Sequence, residues 1–388
     1  MTDFKELDNT DAGNITAKKT GSKKLMYFFI TMIFLTFIVY EYIYQYKTRI
    51  NLIVNSVNSE LIQSEYIIKT CSDFVDSIQK NAETVYLLSP KENEFSRLIK
   101  SVIETKIPSQ QKMFYTLDSF PLPYSKNMIG NIRGTGSLKK RNQQYYREIK
   151  MALALNNIFR AAVDSLPNIA WVYYTSKNEF INIYPWEHTN SISNKPEDIY
   201  KHITELLTLD FYKFGLPENN PLRKLFWTPA YIDSAGKGMM ITCAKPVYNG
   251  QFFLGTVSAD LTLDVLNKLI SDFEIKSGDI FISNNYKQII AHSKLVKSSD
   301  KDIKELKTVI QKNILKQINE LYDKNFEGFT KAGDHFVVVR NFKSAPFKLS
   351  YIIPYSKIYS SMNYSAIIIS VVLYILLLLQ IKNSYDKK

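Results

Sequence analysis

The sequence contains few cysteines, few histidines, and little glycine or proline for its length. Its 388 residues include 2 Cys, 4 His, 13 Gly and 13 Pro. This composition excludes a disulfide-stapled scaffold, a collagen-like chain and a low-complexity chain. No two histidines are four residues apart, so no metal site is expected. Cys71 and Cys243 are expected to be two buried thiols, with a disulfide between them as the alternative.

Motifs of nucleotide-binding and hydrolytic enzymes are also missing. There is no Gly-rich phosphate loop, no Gly-x-Ser-x-Gly and no HExxH, so we expect no catalytic residues, no cofactor and no enzymatic activity. The net charge of +12 comes from 49 basic residues scattered among 37 acidic ones. A nucleic-acid partner needs basic residues concentrated on one surface, so none is expected.

Two long apolar runs are present. Leu25 to Tyr46 carries one charge, Glu41, and at about 1.5 Å per residue it is long enough to cross a hydrocarbon core of about 30 Å. Ile358 to Ile381 carries no charge. The first run is too long for a signal peptide and has a poor cleavage site, so it is predicted to be an uncleaved anchor.

Lysines flank both runs on their terminal sides. They precede the first run and follow the second: Lys18, Lys19, Lys23, Lys24, Lys382, Lys387 and Lys388. The positive-inside rule therefore predicts a two-pass membrane protein with both termini cytoplasmic and the middle region outside.

These runs divide the chain into six predicted segments. The cytoplasmic ends are too short for a kinase, a cyclase or a signalling coiled coil, so output is expected from a separate partner protein or from an output domain that the chain lacks. The predicted segments are a cytoplasmic tail (1–24), a first span (25–46), a stalk helix with a membrane-distal module (47–274), a membrane-proximal module (275–357), a second span (358–381) and a short tail (382–388).

Periodicity predicts several helices. An apolar stripe from Ile50 to Ile78, with no Gly or Pro between Gln45 and Ser89, predicts one long stalk helix. The stripe can pair with its copy in a homodimer or pack against its own chain. Further helices are predicted over Glu92–Ile107, Lys139–Ser165, Leu263–Ser271 and Lys301–Leu321.

Between these helices lie short β-rich runs joined by turn residues. Ile169–Thr175 and Phe180–Tyr184 read as a hairpin, and Asn249-Gly250 predicts a second hairpin between Met239–Tyr248 and Gln251–Ser258. Further strands are predicted at Asp279–Ser283, Gln288–His292, Phe326–Lys331, His335–Phe342 and Lys348–Ile353. This alternation predicts an α+β fold with two sensor-like modules, the second smaller, on one stalk helix between two transmembrane helices.

The stretch from Asn220 to Ile270 resembles the core of double Cache domains, the extracytoplasmic sensing regions of bacterial chemoreceptors, histidine kinases and membrane-bound diguanylate cyclases. The resemblance rests on the landmarks Pro229-Ala-Tyr231-Ile-Asp233, Gly236, Gly238, Pro246-Val-Tyr248 and Gly255-Thr-Val-Ser-Ala-Asp260. It implies two PAS-like Cache modules on the long stalk helix and a small-molecule ligand in the distal module.

In amino-acid-binding members of that family the pocket uses an Arg-x-Trp-Tyr element, a later Tyr and an Asp closing the last strand. The resemblance places Tyr231 and Asp260 on the last two. The Arg-x-Trp-Tyr element is not kept: Phe211-Tyr212 stands near its place without an arginine. The candidate ligand-binding residues are Tyr173, Tyr212, Arg223, Trp227, Tyr231, Asp233 and Asp260.

Each candidate also has a structural interpretation. Asp260 can cap the helix that begins at Leu263, Tyr231 can pack on the sheet, Trp227 can be a core aromatic, and Asp233 can be a turn residue.

Two functions from different classes fit the sequence. The first is a transmembrane small-molecule sensor without its own output domain. The second is a structural two-span envelope assembly protein, such as a polysaccharide chain-length regulator. A β-strand entering the second span would favour the sensor, and an extended coiled coil there would favour the regulator.

Overall fold

The computed structural model describes residues 8–88, 102–107, 110–119, 129–166, 168–233, 235–294 and 302–386. The chain divides into two compact units, Met1–Asn55 with Ile353–Lys388, and Ser56–Ile352. Within the described chain, the expected α+β architecture is confirmed: it has a long N-terminal helix, two antiparallel sheets and an apolar helix towards each end.

The larger unit contains a nine-stranded antiparallel sheet, counted over the described residues. Its spatial order is β1-β2-β3-β5-β4-β9-β8-β6, with β7 also paired to β8. The strands are β1 (Ile103–Ile107), β2 (Lys112–Thr116), β3 (Asn131–Thr135), β4 (Ile169–Ser176), β5 (Phe180–Tyr184), β6 (Phe226–Trp227), β7 (Tyr231–Ile232), β8 (Met239–Asn249) and β9 (Phe252–Thr262).

Both predicted hairpins are present. Strands β4 and β5 pair across a turn at residues 177–179, with Tyr174 opposite Asn182. Strands β8 and β9 pair over most of their length around the Asn249-Gly250 turn, where Gly250 has a φ of +61°. A positive φ costs glycine little, which is why this dipeptide marks the turn in the sequence.

The prediction of a helix over Glu92–Ile107 is wrong at its end. Ile103–Ile107 is the strand β1, which pairs with β2 and places Thr105 opposite Phe114. Residues 92–101 lie outside the described residues. The long-range pairing with β2 outweighs the local helical pattern, since helix propensity is a weak prior that tertiary context overrides.

The helices of this sheet region largely follow the prediction. The predicted helix Lys139–Ser165 is a 3₁₀ turn (Leu138–Lys140) followed by α2 (Gln143–Ala154) and α3 (Asn156–Ser165). The helix predicted at Leu263–Ser271 is present with these bounds. Long helix α1 covers Asp8–Leu88, and the other helices are α4 (Pro196–Glu205), α5 (Asp210–Lys213) and α6 (Leu263–Ser271), with 3₁₀ turns at Thr189–Ser191 and Leu206–Thr208.

From residue 56 onwards, α1 lies along the nine-stranded sheet. Asp76 Oδ1 accepts a hydrogen bond from Lys245 Nζ at 2.8 Å, and Glu83 Oε1 accepts one from the Tyr248 amide at 3.0 Å. The stripe residues on this length are buried: Ile68, Cys71, Val75 and Ile78. Along this length the stripe therefore packs within its own chain, and it is not available to a second copy.

A five-stranded antiparallel sheet completes the larger unit of the described chain, in the order β11-β10-β14-β13-β12. Its strands are β10 (Asp279–Ser283), β11 (Ile289–His292), β12 (Gly328–Ala332), β13 (His335–Asn341) and β14 (Lys348–Pro354). The helix predicted over Lys301–Leu321 is in fact two helices, α7 (Leu306–Val309) and α8 (Lys312–Asp323). They are separate because Ile310 and Gln311 have extended backbones, with ψ near 138°.

The smaller unit contains the two apolar segments. The part of α1 from Lys23 to Leu88, which continues into the larger unit, contains a stretch long and apolar enough to cross a membrane. The helix over Ser365–Ser384 meets the same condition. Within this unit, Thr31 Oγ1 lies 2.7 Å from Tyr374 Oη, and the Phe34 ring stacks on Tyr374 at 4.1 Å.

Strand β14 precedes the second apolar segment. Helix α9 (Tyr355–Ser360) follows it, and α10 (Ser365–Asp386) begins later than Ile358, the predicted start of the span. The break has a local cause: Asn363 Oδ1 accepts the Ser365 amide at 3.0 Å and so caps α10.

Candidate functional site

A cavity of about 530 Å³ lies on one face of the nine-stranded sheet. Its floor comes from β3, β4, β5 and β9, and its walls come from α4, α5, β7 and the segments beside them. Most of the lining is apolar, with a few charged and hydroxyl groups, which is the usual character of a small-molecule site. The polar side chains that line it are Arg133, Tyr173, Glu187, Ser191, His202, Thr208, Asp210, Thr228, Tyr231, Asp233 and Asp260.

Asp260 is the centre of a hydrogen-bonded cluster in this cavity. Its Oδ1 accepts the hydroxyl of Tyr173 at 2.9 Å and the hydroxyl of Thr242 at 2.7 Å. Tyr231 Oη lies 2.9 Å from Thr242 Oγ1. Because the single proton of Thr242 goes to Asp260, the Tyr231 hydroxyl is the donor to Thr242.

Sheet pairing brings these residues together from distant parts of the sequence. Asp260 on β9 stands opposite Trp171 of β4 and opposite Thr242 of β8. Tyr231 on the short strand β7 stands opposite Met240. Side chains two residues apart on a strand share a face, so Tyr231, opposite Met240, and Asp260, opposite Thr242, lie on the same side of the sheet.

Asp260 is buried, with 5% of its surface exposed. Burial raises the pKa of its carboxyl from 3.8 to about 7, although the hydrogen bonds from Thr242 and Tyr173 act in the opposite direction. The carboxyl is therefore close to half ionised near neutral pH. A cationic group placed beside it would favour the ionised form.

The same cavity contains a buried arginine. Arg133 on β3 is 3% exposed, and its Nη2 donates to the Glu187 carbonyl at 2.8 Å and lies 3.9 Å from Glu187 Oε2. Its Nε is buried without a hydrogen-bond partner. Burial lowers the pKa of Arg133 and, together with the Arg133 charge, that of His202. The cavity thus has an unsatisfied cationic donor as well as a buried carboxyl.

Asp233 lies in a turn at the rim of the cavity. Its amide donates to the Gly238 carbonyl at 2.9 Å, and its Oδ2 accepts the Lys237 amide at 3.0 Å. The turn holds Lys237 Nζ 3.3 Å from the centre of the Trp171 ring, a cation–π contact. Asp233 is therefore both a turn residue and a residue of the cavity wall.

The structure does not bring all seven sequence candidates together. Tyr173, Tyr231, Asp233 and Asp260 line the cavity, whereas Tyr212 is buried in the adjacent hydrophobic cluster and is not part of the lining. The Trp227 ring makes an edge contact with Phe347 at 5.3 Å. It joins the two sheets rather than facing the cavity.

Arg223 also lies outside this cavity. Its guanidinium is stacked 3.8 Å from the centre of the Tyr248 ring, and it donates to the Gly250 carbonyl at 2.9 Å and to Gln251 Oε1 at 2.7 Å. These contacts fix the β8–β9 turn. Arg223 therefore does not replace the missing arginine of the Arg-x-Trp-Tyr element.

The sequence interpretation missed Arg133, which lies in a Gly-rich stretch that resembles a turn. In the structure, Gly134 allows close packing rather than a turn, because a Cβ added there would lie 2.3 Å from the hydroxyl of Tyr115. A glycine inside a strand often marks such a close approach, so Asn131–Thr135 could have been read as a strand.

Comparison with known proteins places this region in a sensor class. Residues 138–268 match the family described as methyl-accepting chemotaxis protein-like, first PDC sensor domain. This match confirms the predicted identification of a double Cache-type sensor region, and it supports a ligand-sensing role in signal transduction. A search of curated proteins finds no match.

Solved structures with a similar arrangement include chemoreceptor ligand-binding domains. The domain of the Pseudomonas aeruginosa amino acid chemoreceptor PctC with GABA is 12% identical, with 78% of this chain and 98% of that chain covered and a TM-score of 0.40. The sensory domain of Campylobacter jejuni Tlp3 with isoleucine is 16% identical, with 78% and 97% covered and a TM-score of 0.36. At these values the similarities define neither a ligand nor the role of any residue.

Proposed function

We propose that this protein is a membrane-anchored receptor that binds a small zwitterionic or amino-bearing molecule in the cavity around Asp260. The observation that carries the proposal is the Asp260 carboxyl, buried at the cavity surface within a cluster of hydroxyl groups. The ligand-binding set is Tyr173, Tyr231, Asp233 and Asp260, with Arg133 added.

The charges of the cavity support this class of ligand. An ammonium beside Asp260 would form a charge-assisted hydrogen bond and would offset the cost of burying the ionised carboxylate. The unpartnered Nε of Arg133 offers a donor to an anionic group of the same ligand. The volume of about 530 Å³ suits a molecule of metabolite size.

The route from the cavity to the stalk supports a signalling role. Thr242 faces Asp260, and the next residue, Cys243, is buried on the side of α1. Lys245, further along β8, pairs with Asp76 of α1 at 2.8 Å. A ligand that forms hydrogen bonds with Thr242 or Asp260 would therefore act on β8, the strand that contacts the stalk helix. It would transmit a signal if it binds one arrangement of β8 and α1 better than another.

The proposal includes the cellular arrangement. Two apolar helices support a two-pass protein of the bacterial membrane, with the modules 47–274 and 275–357 outside the cell. A homodimer would have to use a face of the stalk other than the buried stripe. Ile62 and Tyr66, each 69% exposed, lie on such a face.

The experiment is isothermal titration of the full chain in detergent micelles against a panel of amino acids, primary amines and carboxylic acids. A binder is expected, and Asp260→Asn should weaken it by about 10- to 100-fold because a charge-assisted hydrogen bond is lost. Arg223→Gln, outside the cavity, is the matched control and should leave affinity unchanged. Absence of any binder, or equal affinity in Asp260→Asn, would refute the proposal.

The second function, a structural envelope assembly protein, is not favoured. The described chain reaches the second apolar helix through strand β14 and the six-residue helix α9, with no extended coiled coil between them, which supports the sensor. Surface labelling of intact cells at engineered cysteines tests the topology. We expect labelling near residue 200 and protection near both termini.

A further inference from the structure

A second cavity, of about 610 Å³, lies in the nine-stranded sheet region away from Asp260. Tyr173 of β4 contacts Asp260, while its neighbour Tyr174 contacts Glu148, which lines the second cavity. Consecutive strand residues point to opposite faces. The two cavities therefore lie on opposite faces of the same sheet and share no lining residue.

Basic side chains surround the second cavity. Lys140 and Arg141 precede α2, and Lys177 comes from the β4–β5 turn. Glu148 is the one acidic residue among the lining residues, all of which belong to the described chain. The remaining lining residues are polar amides and apolar or aromatic groups: Tyr86, Asn142, Gln144, Tyr145, Asn178, Asn249, Phe252 and Leu254.

Glu148 is already occupied by its own chain. It is 2% exposed, and its Oε1 accepts the hydroxyls of Tyr174, at 2.7 Å, and of Ser176. Its Oε2 accepts the Asn178 amide nitrogen at 2.6 Å. These donors fix the carboxyl at the base of the cavity, and within the described residues it forms no salt bridge with Lys140, Arg141 or Lys177.

Two further donors are directed to this region. The Nε of Arg141 is buried without a hydrogen-bond partner, while the same guanidinium donates to the Thr135 carbonyl and lies 4.4 Å from the centre of the Tyr145 ring. Helix α2, 12 residues long, begins here, with Asn142 as its N-cap. The amino end of such a helix favours negative charge.

We infer that this second cavity binds the oxyanion of a small molecule, a phosphate or a carboxylate, between Lys140, Arg141 and Lys177. The aromatic rings of Tyr145 and Tyr86 and the 70% exposed Phe252 offer apolar surface for the rest of that molecule. The site is independent of the ligand proposed at Asp260.

Occupation of this site would join four parts of the nine-stranded sheet region. The lining residues come from the end of α1 (Tyr86), from the start of α2 and from both hairpin turns. An anion bound among them would neutralise three like charges that otherwise repel one another. Bound anion should therefore stabilise the folded protein, and it should do so less at high salt.

The test uses the full chain in detergent micelles at low ionic strength. Inorganic phosphate and citrate are titrated separately by calorimetry, so that the two sources of an oxyanion are distinguished. The double variant Lys140→Gln/Lys177→Gln should weaken binding by at least about tenfold. Lys316→Gln, an exposed lysine of α8, is the matched control and should bind as the unaltered protein does.

A second measurement does not depend on the variants. Acetylation of lysines in the unaltered protein, read by mass spectrometry, should be slowed at Lys140 and Lys177 by the anion and unchanged at Lys316. Asp260→Asn should keep anion binding, which separates this site from the other cavity. Failure of both phosphate and citrate to bind or to protect these lysines, or equal binding by the double variant, overturns the inference.

Discussion

Thr242 and Cys243 are consecutive residues of β8 that contact opposite sides of the sheet. The Thr242 hydroxyl donates to Asp260 at 2.7 Å in the ligand cavity, and Cys243 Sγ lies 4.0 Å from the hydroxyl of Ser72 on α1. One step along a strand thus connects the cavity wall to the stalk helix. Under the proposed function, a substitution at Thr242 is therefore expected to change both ligand binding and signal transmission.

Thr242→Val should raise the pKa of Asp260 further. The valine has nearly the same shape but removes the hydroxyl that stabilises the ionised carboxylate, while burial continues to favour the neutral form. We expect weaker binding of a cationic ligand at neutral pH, by about tenfold. Calorimetry at several pH values measures this, and an unchanged affinity near pH 7 would contradict it. Thr242→Ser, which retains a hydroxyl, is the control.

Ligand binding at Asp260 should depend on pH. Burial raises the pKa of this carboxyl to about 7, so the free protein takes up a proton there as the pH falls through that value. A cationic ligand needs the ionised form, so its affinity should fall between about pH 8 and about pH 6, with release of a proton on binding. Titrations in buffers of different ionisation enthalpy measure the proton, and Asp260→Asn should abolish the effect.

Substitutions at Trp227 and Tyr231 should have different effects on the free energy of unfolding and on ligand affinity. Trp227 is 3% exposed and packs against Phe347, so Trp227→Ala should lower the free energy of unfolding by about 3–5 kcal/mol with little change in ligand affinity. Tyr231→Phe removes the donor to Thr242 and should weaken binding while costing about 1 kcal/mol of stability. Denaturant melts and calorimetry measure the two effects, and a parallel loss of both in each variant would contradict this division.

Glu60 on α1 should destabilise the protein at alkaline pH. It is buried, its Oε1 has no hydrogen-bond partner, and burial raises its pKa from 4.5 to about 7. Its folded pKa exceeds its unfolded one, so its contribution to stability is largest below pH 4.5 and declines as the pH rises towards about 7. Glu60→Gln should therefore raise the free energy of unfolding near pH 8, by about 1–3 kcal/mol, and change it little near pH 4.

The control for Glu60 is Glu65, one turn further along the same helix. Its carboxylate accepts the amides of Lys343 at 2.9 Å and of Ser344 at 2.8 Å. Glu65→Gln should lower stability near pH 8, because charge-assisted hydrogen bonds are lost. Denaturant unfolding of both variants at the two pH values is the measurement, and a change of the same sign in both at the higher pH would count against this account.

Cys71 and Cys243 should be unreactive in the folded protein. Both are buried and unpaired, and burial raises the pKa of the Cys243 thiol, which suppresses the reactive thiolate. Iodoacetamide should label neither in native protein and both after denaturation without a reductant. If denatured protein is labelled only after reduction, the alternative of a disulfide is correct.

The sequence was sufficient for elements whose cause is local. The Asn249-Gly250 turn, the β4–β5 hairpin and α6 all follow from turn residues or periodicity within one segment. The family resemblance also led to Asp260 and Tyr231, because both stand in a recognisable stretch of the chain. Their contact through Thr242 follows from sheet pairing and could not be read from the order of residues.

Features that depend on distant partners were not predicted. Strand β1 is defined by pairing with β2, and α7 is separated from α8 by extended residues that no Gly or Pro marks. Arg133 was missed because Gly134 suggested a loop, whereas its lack of a side chain leaves room for Tyr115. Spacing along the chain therefore located the carboxyl of the site but not the guanidinium that shares its cavity.

Strand β4 lies between the side of the sheet that contains the cavity around Asp260 and the side that contains Glu148 and the second cavity. Its residue Tyr173 lines the cavity around Asp260, whereas Tyr174, on the other face, contacts Glu148, which lines the second cavity. Odd- and even-numbered residues of β4 therefore face opposite sides of the sheet, and a substitution at one of them is expected to affect the cavity on its own side only. A change that shifts the register of β4 by one residue would move every side chain of the strand to the opposite face, and it would disrupt both cavities together.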